Sequence, residues 1–248
     1  MKAMIFAAGL GTRLRPITDS IPKALVPVGD KPVLQFVIER IKSVGITDVV
    51  VNVHHFADQV CKFLNENSNF GLNISISDET NLLLDTGGGL LKALPLLGYD
   101  EPVLLHNADI LTDVPLEQMI ESHQLSGADA SLLVWHRDTS RKLLFSSLNE
   151  MKGWVNTLTG ETRPNRLDQS MLTPLAFGGV HIVSPSLFPF LNKYALSSGE
   201  VFSMTPFYIE ACMNARIQGF TPSEPFNWFD IGRPESLLKA SEFVNSTK

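Results

Sequence analysis

The chain has 248 residues, of which 44% are hydrophobic and 19% are charged, and its formal net charge is -6. This length and composition indicate a globular protein with a sizeable core, built as one large domain or two small ones. The negative charge argues against general electrostatic binding of nucleic acid, so any phosphate ligand needs a local cluster of cations. We find no apolar run of membrane-spanning length and no signal-peptide pattern, and we therefore expect a cytoplasmic protein that does not contact a membrane.

Apolar residues predict alternating strands and helices over the first 135 positions. Strands are predicted at residues 4–7, 46–53, 72–77, 102–106 and 130–135. Helices are predicted at residues 32–44, 55–65, 88–97 and 116–124. Such alternation is typical of right-handed βαβ units, and it predicts a Rossmann-like α/β fold with a mostly parallel mixed sheet flanked by helices.

The pattern changes in the second half of the chain. Residues 141–174 contain short, polar, turn-rich segments that predict a small β-hairpin insertion. A strand is predicted at 175–183, followed by helices near 185–192, 205–214 and 234–244. Because no stretch is rich enough in Gly, Pro or Ser to serve as a linker, we expect a single domain over 1–248.

The beginning of the chain carries its most informative motif. An apolar strand runs directly into a turn with Gly9 and Gly11, and the cations Arg13, Arg15 and Lys23 follow. Glycines have no Cβ, so backbone N–H groups there can approach anionic oxygens closely, and the cations supply the countercharge. The pattern predicts a cradle for the phosphates of a nucleotide.

Two common phosphate-binding motifs do not fit this segment. A Walker loop ends in Gly-Lys-Ser or Gly-Lys-Thr, whereas this loop continues as Gly11-Thr12-Arg13. The dinucleotide fingerprint needs a third glycine that opens a helix and an acidic residue about 20 positions further on. What remains is an extended loop with three cations that ends at Pro22-Lys23.

Two aspartates are candidate metal ligands. Asp109 comes directly after the apolar strand at 102–106, and Asp230 lies in an aromatic segment just before a predicted helix. Ligands in such sheets bind beyond the carboxyl ends of the strands, and two carboxylates from distant segments are a suitable site for Mg²⁺. Taken singly, Asp230 is equally compatible with a helix N-cap, and Asp109 with an ordinary loop acid.

The spacing Ala-Ala-Gly-x-Gly-Thr-Arg-Leu-x-Pro-x-Thr followed by Pro-Lys resembles the signature of the sugar-phosphate nucleotidyltransferases. The resemblance extends to about residue 240. It implies the nucleotide-diphospho-sugar transferase fold, with a nucleotide-binding part at about 1–136 and a sugar-binding part at about 137–248. It also implies a nucleoside triphosphate and a sugar 1-phosphate as substrates, and Mg²⁺ held by Asp109 and Asp230.

The same resemblance implies roles for individual residues. Arg13, Lys23 and Asp109 would be catalytic. Nucleotide contacts are implied for Ala7, Ala8, Gly9, Gly11, Thr12, Arg13, Asp85, Thr86, Gly87 and Gly88. Sugar contacts are implied for Asn107, Gly178, Gly179 and Glu200.

The segment Leu-Asp-Thr-Gly-Gly-Gly-Leu at residues 84–90 bears on the substrates. It is most similar to the form found in uridylyltransferases that act on N-acetylmuramate 1-phosphate in peptidoglycan recycling, so we expect UTP and that sugar phosphate. The alternatives are a guanylyl- or cytidylyltransferase for mannose-, heptose- or choline-type phosphates, and a non-catalytic regulator that binds nucleotide sugars. The oligomeric state, monomer or small homo-oligomer, stays open.

The chain departs from the family pattern in two places. A Glu-Lys-Pro segment, which gives many members a second phosphate-binding lysine, is missing between residues 148 and 173. Its possible replacements are Arg141, Lys142, Lys152, Arg163 and Arg166. For a lactyl carboxylate on the sugar, Arg163 and Arg166 are the candidates, because a guanidinium binds a carboxylate through two parallel hydrogen bonds. The hexapeptide-repeat tail of some relatives is absent after Asp230.

Overall fold

A computed structural model describes residues 1–246 of the chain. The strands are β1 (Lys2–Phe6), β2 (Pro27–Val28), β3 (Lys31–Pro32), β4 (Asp48–Val53), β5 (Asn73–Asp78), β6 (Val103–Asn107), β7 (Ile110–Thr112), β8 (Ala130–Trp135), β9 (Arg141–Phe145), β10 (Met151–Asn156), β11 (Thr162–Arg163), β12 (Thr173–Val183), β13 (Ile217–Phe220) and β14 (Trp228–Asp230). The α-helices are α1 (Val33–Ser43), α2 (Ala57–Glu66), α3 (Asp85–Leu97), α4 (Leu116–Ser126), α5 (Phe188–Ser198), α6 (Met204–Ala211) and α7 (Pro234–Ser246).

One large mixed sheet forms the centre of the molecule. Its first half is parallel, with β1 between β4 and β6 and with β5 beyond β4. Strand β12 then pairs antiparallel with β6 and β8, and β13 continues the sheet parallel to β8. The predicted α/β fold with a mixed, mostly parallel sheet is confirmed.

Residues 141–174 extend this sheet. Strands β9, β10 and β11 pair antiparallel in series, and β9 joins the first residues of β12. The predicted hairpin insertion is therefore an extension of the central sheet, and the inward side chains Leu143, Phe145 and Val155 are buried in or beside the main core. A register shift between Phe177 and His181 separates the two halves of β12.

Helices cover both faces of the sheet because each presents one apolar stripe. Helices α3, α5 and α6 pack on one face around Leu94, Leu191 and Phe207. Helices α1, α2 and α4 pack on the other face around Ile38, Leu64 and Met119. A third, smaller cluster joins α7 and the N-terminal loop, so this helix packs beside the loop that the sequence singles out.

Several boundaries differ from the predictions. Helix α3 begins three residues earlier than predicted, at Asp85, so the three glycines lie within its first five residues. The four short strands β2, β3, β7 and β13 were not predicted from the sequence, because each has at most four residues and shows too little periodicity. Within residues 1–246, no helix is both long and apolar enough to cross a lipid bilayer.

Candidate active site

Two adjoining cavities open at the carboxyl ends of the parallel strands. The first has a volume of about 340 Å³ and lies beyond β1, β4 and β6. The second has a volume of about 310 Å³ and lies between β12, β14 and the beginning of α6. Thr86, Asn107 and Asp109 line both, so the cavities meet at these three residues. This is the crevice where ligands bind in open α/β sheets.

A chain of hydrogen bonds fixes the back wall of the first cavity. The Ala7 N–H donates to Asn52 Oδ1 (2.7 Å), and Asn52 Nδ2 donates to Glu79 Oε1 (2.7 Å). The second oxygen of this fully buried carboxylate accepts from the Leu84 N–H at 3.0 Å. The chain ties the end of β1 to the turn before α3, although neither Asn52 nor Glu79 was predicted as a site residue. Both lie at or just after a strand end, which is the signal that could have found them.

The N-terminal loop folds back across this crevice. Gly11 has φ +66°, and a Cβ there would lie 2.9 Å from Thr18 Cγ2, so only glycine fits this turn. Its carbonyl accepts from the Leu14 N–H at 2.9 Å and from the Thr18 hydroxyl at 2.8 Å. Ala7, Ala8 and Gly9 line the first cavity. Gly11 and Thr12 shape the loop without lining either cavity, whereas the loop directs Arg13 into the second.

Opposite charges meet where the cavities join. The Lys23 ammonium hydrogen-bonds the Asp109 carboxylate, and both side chains are largely buried. Gly232 marks a point close to the other charged groups: a Cβ there would lie 2.8 Å from Asp230 Oδ1, 2.8 Å from Lys23 Nζ and 3.0 Å from Arg13 Nη2. Four residues that are far apart in the sequence thus converge on one small volume.

Pairing between β7 and β14 brings the two aspartates together. Asp230 lies opposite Ile110 in this antiparallel pair, and the Ile231 N–H donates to the Asp109 carbonyl at 3.0 Å. Their carboxylates are hard oxygen donors on the lining of the same cavity. Mg²⁺ takes one or two carboxylates and completes its shell with water and substrate phosphates, so this donor set fits the ion.

The glycine segment at the start of α3 packs against another part of the chain. Phe202 O accepts from the N–H groups of Gly87 (2.8 Å) and Gly88 (3.1 Å). A Cβ on Gly88 would lie 2.1 Å from Glu200 O. Gly87 and Gly88 are therefore buried behind the cavity wall, with their N–H groups already used. Asp85 and Thr86 do line the first cavity, and the Met204 N–H donates to the Thr86 hydroxyl at 2.9 Å.

The bent part of β12 forms the floor of the second cavity. Gly179 has φ +72°, and a Cβ there would lie 2.7 Å from Asn107 Nδ2, so the glycine allows the Asn107 amide to approach. Gly178 O accepts from Trp228 Nε1 at 2.9 Å. Asn107, Gly178 and Gly179, for which sugar contacts are expected from the sequence, line this cavity, whereas the side chain of Glu200 is exposed and lines neither cavity.

Buried histidines lie beneath this floor. His181 lines the second cavity, and its Nδ1 hydrogen-bonds the Tyr208 hydroxyl at 2.5 Å. Burial lowers the pKa of His181 to about 3, and burial lowers the pKa of its neighbour His106 to about 4. Both imidazoles are neutral near pH 7, so they contribute shape and hydrogen bonding to the site and no charge.

A second arginine in the second cavity was not predicted from the sequence. Arg137 lines the second cavity and follows β8, whereas Arg163 and Arg166 of the insertion line neither cavity. The Arg163 guanidinium pairs with Glu161 at 3.1 Å on the surface, and this corrects the expectation that it faces the sugar. The remaining candidates from the insertion, Arg141, Lys142 and Lys152, also lie off both linings. Asp109 was selected because it follows a strand at the carboxyl edge of the sheet, and Arg137 follows β8 in the same way.

This crevice combines a glycine-containing loop, two cations and two carboxylates at the carboxyl edge of the sheet, which is where open α/β folds bind nucleotides. Residues 2–145 match the Nucleotidyl transferase family, and the chain belongs to it. The chain is 34% identical to the N-acetylmuramate alpha-1-phosphate uridylyltransferase of Caulobacter vibrioides, over 96% of this chain and 94% of that protein. It is 28% identical to the mannose-1-phosphate guanyltransferase of Aspergillus oryzae, over 97% of this chain and 63% of that longer protein.

Solved structures agree with the fold. A UDP-glucose pyrophosphorylase complexed with UDP-glucose superposes with a TM-score of 0.78 and 22% identity over the full length of both chains. Together with the sequence matches, the fold makes this protein a sugar-1-phosphate nucleotidyltransferase.

Proposed function

We propose that this enzyme joins UTP and N-acetylmuramate 1-phosphate to give the UDP-sugar and pyrophosphate. The observation that carries the proposal is the convergence of Arg13, Lys23, Asp109 and Asp230 at the junction of the two cavities. The first cavity would take the nucleotide and the second the sugar, so the reacting phosphates would meet beside these charges. The identity to two N-acetylmuramate alpha-1-phosphate uridylyltransferases, 34% and 32%, supports the choice of substrates.

The reaction needs no nucleophile from the protein. A phosphate oxygen of the sugar 1-phosphate attacks the α-phosphorus of the triphosphate, and pyrophosphate leaves from the opposite side. Catalysis is then positioning and neutralisation of the charge that develops on the phosphates. Arg13 would hold the triphosphate together with the loop at Ala8 and Gly9, and Lys23 would contact the oxygens of the transferring phosphate.

Asp109 and Asp230 would hold Mg²⁺ through their carboxylates. When bound, the ion supplies charge neutralisation and orientation to the phosphate oxygens. In this arrangement Lys23 holds the Asp109 carboxylate in place, since the ammonium and the carboxylate are in direct contact. Asn107 would orient the sugar, because Gly179 leaves room for its amide at the cavity wall.

The base is expected to lie against the turn before α3. Asp85, Thr86, Leu83 and Val201 line this part of the first cavity. The family resemblance implies nucleotide contacts for Gly87 and Gly88, but their N–H groups donate to Phe202 O. We therefore place the base beside Asp85 and Thr86. A guanine in a pocket shaped for uracil leaves polar groups unpaired, at a cost of about 1–3 kcal/mol each.

A pyrophosphate-release assay tests the proposal with four triphosphates against several sugar 1-phosphates. We expect the highest kcat/KM for UTP with N-acetylmuramate 1-phosphate. A higher value for GTP would favour a guanylyltransferase, in line with the mannose-1-phosphate guanyltransferase relatives. Equal values for N-acetylmuramate 1-phosphate and N-acetylglucosamine 1-phosphate would show that the lactyl group is not recognised.

A further inference from the structure

The second cavity contains a cation that the mechanism above does not use. Arg137 follows β8 and lines this cavity together with Arg13, Asp109 and Asp230. Its Nη2 donates to Phe177 O at 3.3 Å. Among residues 1–246, no carboxylate forms a salt bridge with Arg137, and its buried Nε has no hydrogen-bond partner. The guanidinium therefore retains donors that no described protein group satisfies.

Aromatic rings hold this guanidinium in a fixed orientation. Its Cζ lies 4.1 Å from the centroid of the Trp228 ring and 5.2 Å from that of Trp135. The two indoles pack edge to face with centroids 5.2 Å apart, and Trp228 Nε1 is anchored on Gly178 O. A cation stacked on an indole loses little freedom when it binds a ligand, because its plane is already set.

The Arg137 guanidinium is charged, and the two carboxylates of this cavity have other partners. Burial lowers the pKa of the Arg137 guanidinium and Asp230 raises it, and the group stays protonated because arginine does not titrate in proteins. Asp109 is already paired with Lys23, and Asp230 Oδ1 accepts from the Gly232 N–H at 2.9 Å. An oxyanion in the second cavity would find Arg137 as a fixed, partly desolvated donor.

We infer that Arg137 binds an oxyanion of the acceptor sugar 1-phosphate and determines the affinity for that substrate. The inference rests on the proposed function, since it takes the second cavity as the sugar site. The oxyanion is either the 1-phosphate itself or a carboxylate on the sugar ring. Both are planar or tripod oxygen groups that a guanidinium binds through paired N–H donors.

Two variants and a matched control test the inference. Arg137→Met keeps length and apolar packing but removes the donors, and Arg137→Lys keeps the charge but loses the planar fork. The control is Arg163→Met. Like Arg137, Arg163 lies over an indole, with its Cζ 5.5 Å from the centroid of the Trp154 ring. Unlike Arg137, it pairs with an acid, Glu161, and lies outside both cavities.

The measured quantity is KM for N-acetylmuramate 1-phosphate and for N-acetylglucosamine 1-phosphate at saturating UTP. We expect Arg137→Met to raise the acceptor KM about tenfold or more and Arg137→Lys to raise it less. The KM for UTP should stay unchanged in both variants, and Arg163→Met should keep the wild-type acceptor KM. An equal rise for both sugars identifies the 1-phosphate as the bound group, and a rise for the muramate alone identifies the carboxylate. Unchanged acceptor KM values, or an equal rise in KM for UTP, would overturn the inference.

A binding measurement separates this inference from the proposed function. Trp135 and Trp228 contact Arg137, and Trp154→Phe removes the third tryptophan, so the remaining fluorescence reports on this cavity. Absence of turnover with every sugar 1-phosphate would defeat the proposed function. Even then, titration with the sugar 1-phosphate can test Arg137. A saturable fluorescence change that is lost in Arg137→Met would support the role of Arg137, and identical titration curves with and without the substitution would refute it. If Arg137→Met does not fold, Arg137→Lys is used for both comparisons.

Discussion

Individual charges at the junction of the cavities balance one another. Arg13 and Lys23 lie within reach of the same point at Gly232 as the Asp230 carboxylate, and Lys23 also contacts Asp109. Removing one member of such a partly buried group leaves its partner without a countercharge. The two aspartates are therefore best replaced with asparagine, which removes the charge and keeps the shape.

Asp109→Asn and Asp230→Asn are each expected to lower kcat/KM at least about a hundredfold, because losing a metal ligand removes several kcal/mol of transition-state stabilisation. Both chains should remain folded, since the amide has the shape of the carboxylate. Steady-state kinetics with varied Mg²⁺ measures the effect, and Asp100→Asn, an exposed acid before β6, is the control. Near-normal Mg²⁺-dependent rates in both variants would refute the metal assignment.

Lys23→Ala should lower kcat strongly, whereas Lys31→Ala should have little effect. Lys23 lies in the cleft on Asp109, but Lys31 pairs with Glu39 at 3.1 Å outside both cavities. A positioned cation acts on the developing phosphate charge, and a surface lysine does not. Pyrophosphate release under saturating substrates provides the comparison, and similar losses in the two variants would contradict the assignment of Lys23.

At the scale of secondary structure, the glycines have two distinct functions that the sequence does not separate. Gly9 borders the first cavity, and among the described residues no atom outside its chain neighbours lies within 4 Å of its Cβ position. Gly88 lies inside the contact between α3 and the segment before α6, where the backbone of Glu200 occupies the space of a Cβ. Both glycines lie in glycine-rich motifs, but only the tertiary contacts show which one faces a ligand.

Gly88→Ala should destabilise the fold, because its Cβ would overlap a backbone oxygen at 2.1 Å. Overpacking of this kind costs about 1–3 kcal/mol and lowers the Tm of a chain of this size by several degrees. Gly9→Ala should keep the wild-type Tm and raise KM for the triphosphate. Thermal unfolding and steady-state kinetics on the two variants test the distinction, which fails if Gly9→Ala loses stability or if Gly88→Ala keeps it.

Features set by local apolar patterns could be predicted from the sequence, and features set by contacts between distant segments could not. Strands β1, β4, β6 and β8 have strong apolar patterns, so the sheet and the positions at its carboxyl edge followed from the sequence. The pairing of β7 with β14 did not, because β7 has only three residues and shows no periodicity, and the pairing is set by distant contacts. The sequence therefore named Asp109 and Asp230 separately, and only the structure explains why they meet. Arg137 follows β8, but its contact with Trp228 of the distant strand β14 is visible only in the structure.

At the scale of the whole molecule, buried histidines join the layers of the fold. His106 lies on β6 and His181 on β12, at the centre of the sheet, and both are 1% exposed. His123 on α4 hydrogen-bonds Ser131 Oγ at 2.8 Å and Ser184 Oγ at 3.0 Å, which ties the helix layer to the sheet. Burial lowers the pKa of His123 to about 4, so all three side chains are neutral in the folded protein near pH 7.

This burial predicts a loss of stability in mild acid. A histidine with an unfolded pKa near 6.5 and a folded pKa of about 4 binds a proton more readily in the unfolded chain. The free energy of unfolding is therefore highest above the unfolded pKa, and it falls as the pH drops from about 6.5 towards 4. Between about pH 7.5 and pH 5 the loss is about 2 kcal/mol for each such histidine. Few carboxylates titrate in this range, so the histidines dominate the change.

Urea unfolding at about pH 7.5 and pH 5 measures this loss as a lower free energy of unfolding at the lower pH. His123→Gln should reduce the difference between the two pH values by about a third, because one of three comparable contributions is removed. His55→Gln, at an exposed position before α2, should leave the difference unchanged. If stability is the same at both pH values, burial does not hold the three imidazoles neutral. If His123→Gln has no more effect than His55→Gln, His123 does not contribute to the loss of stability in acid.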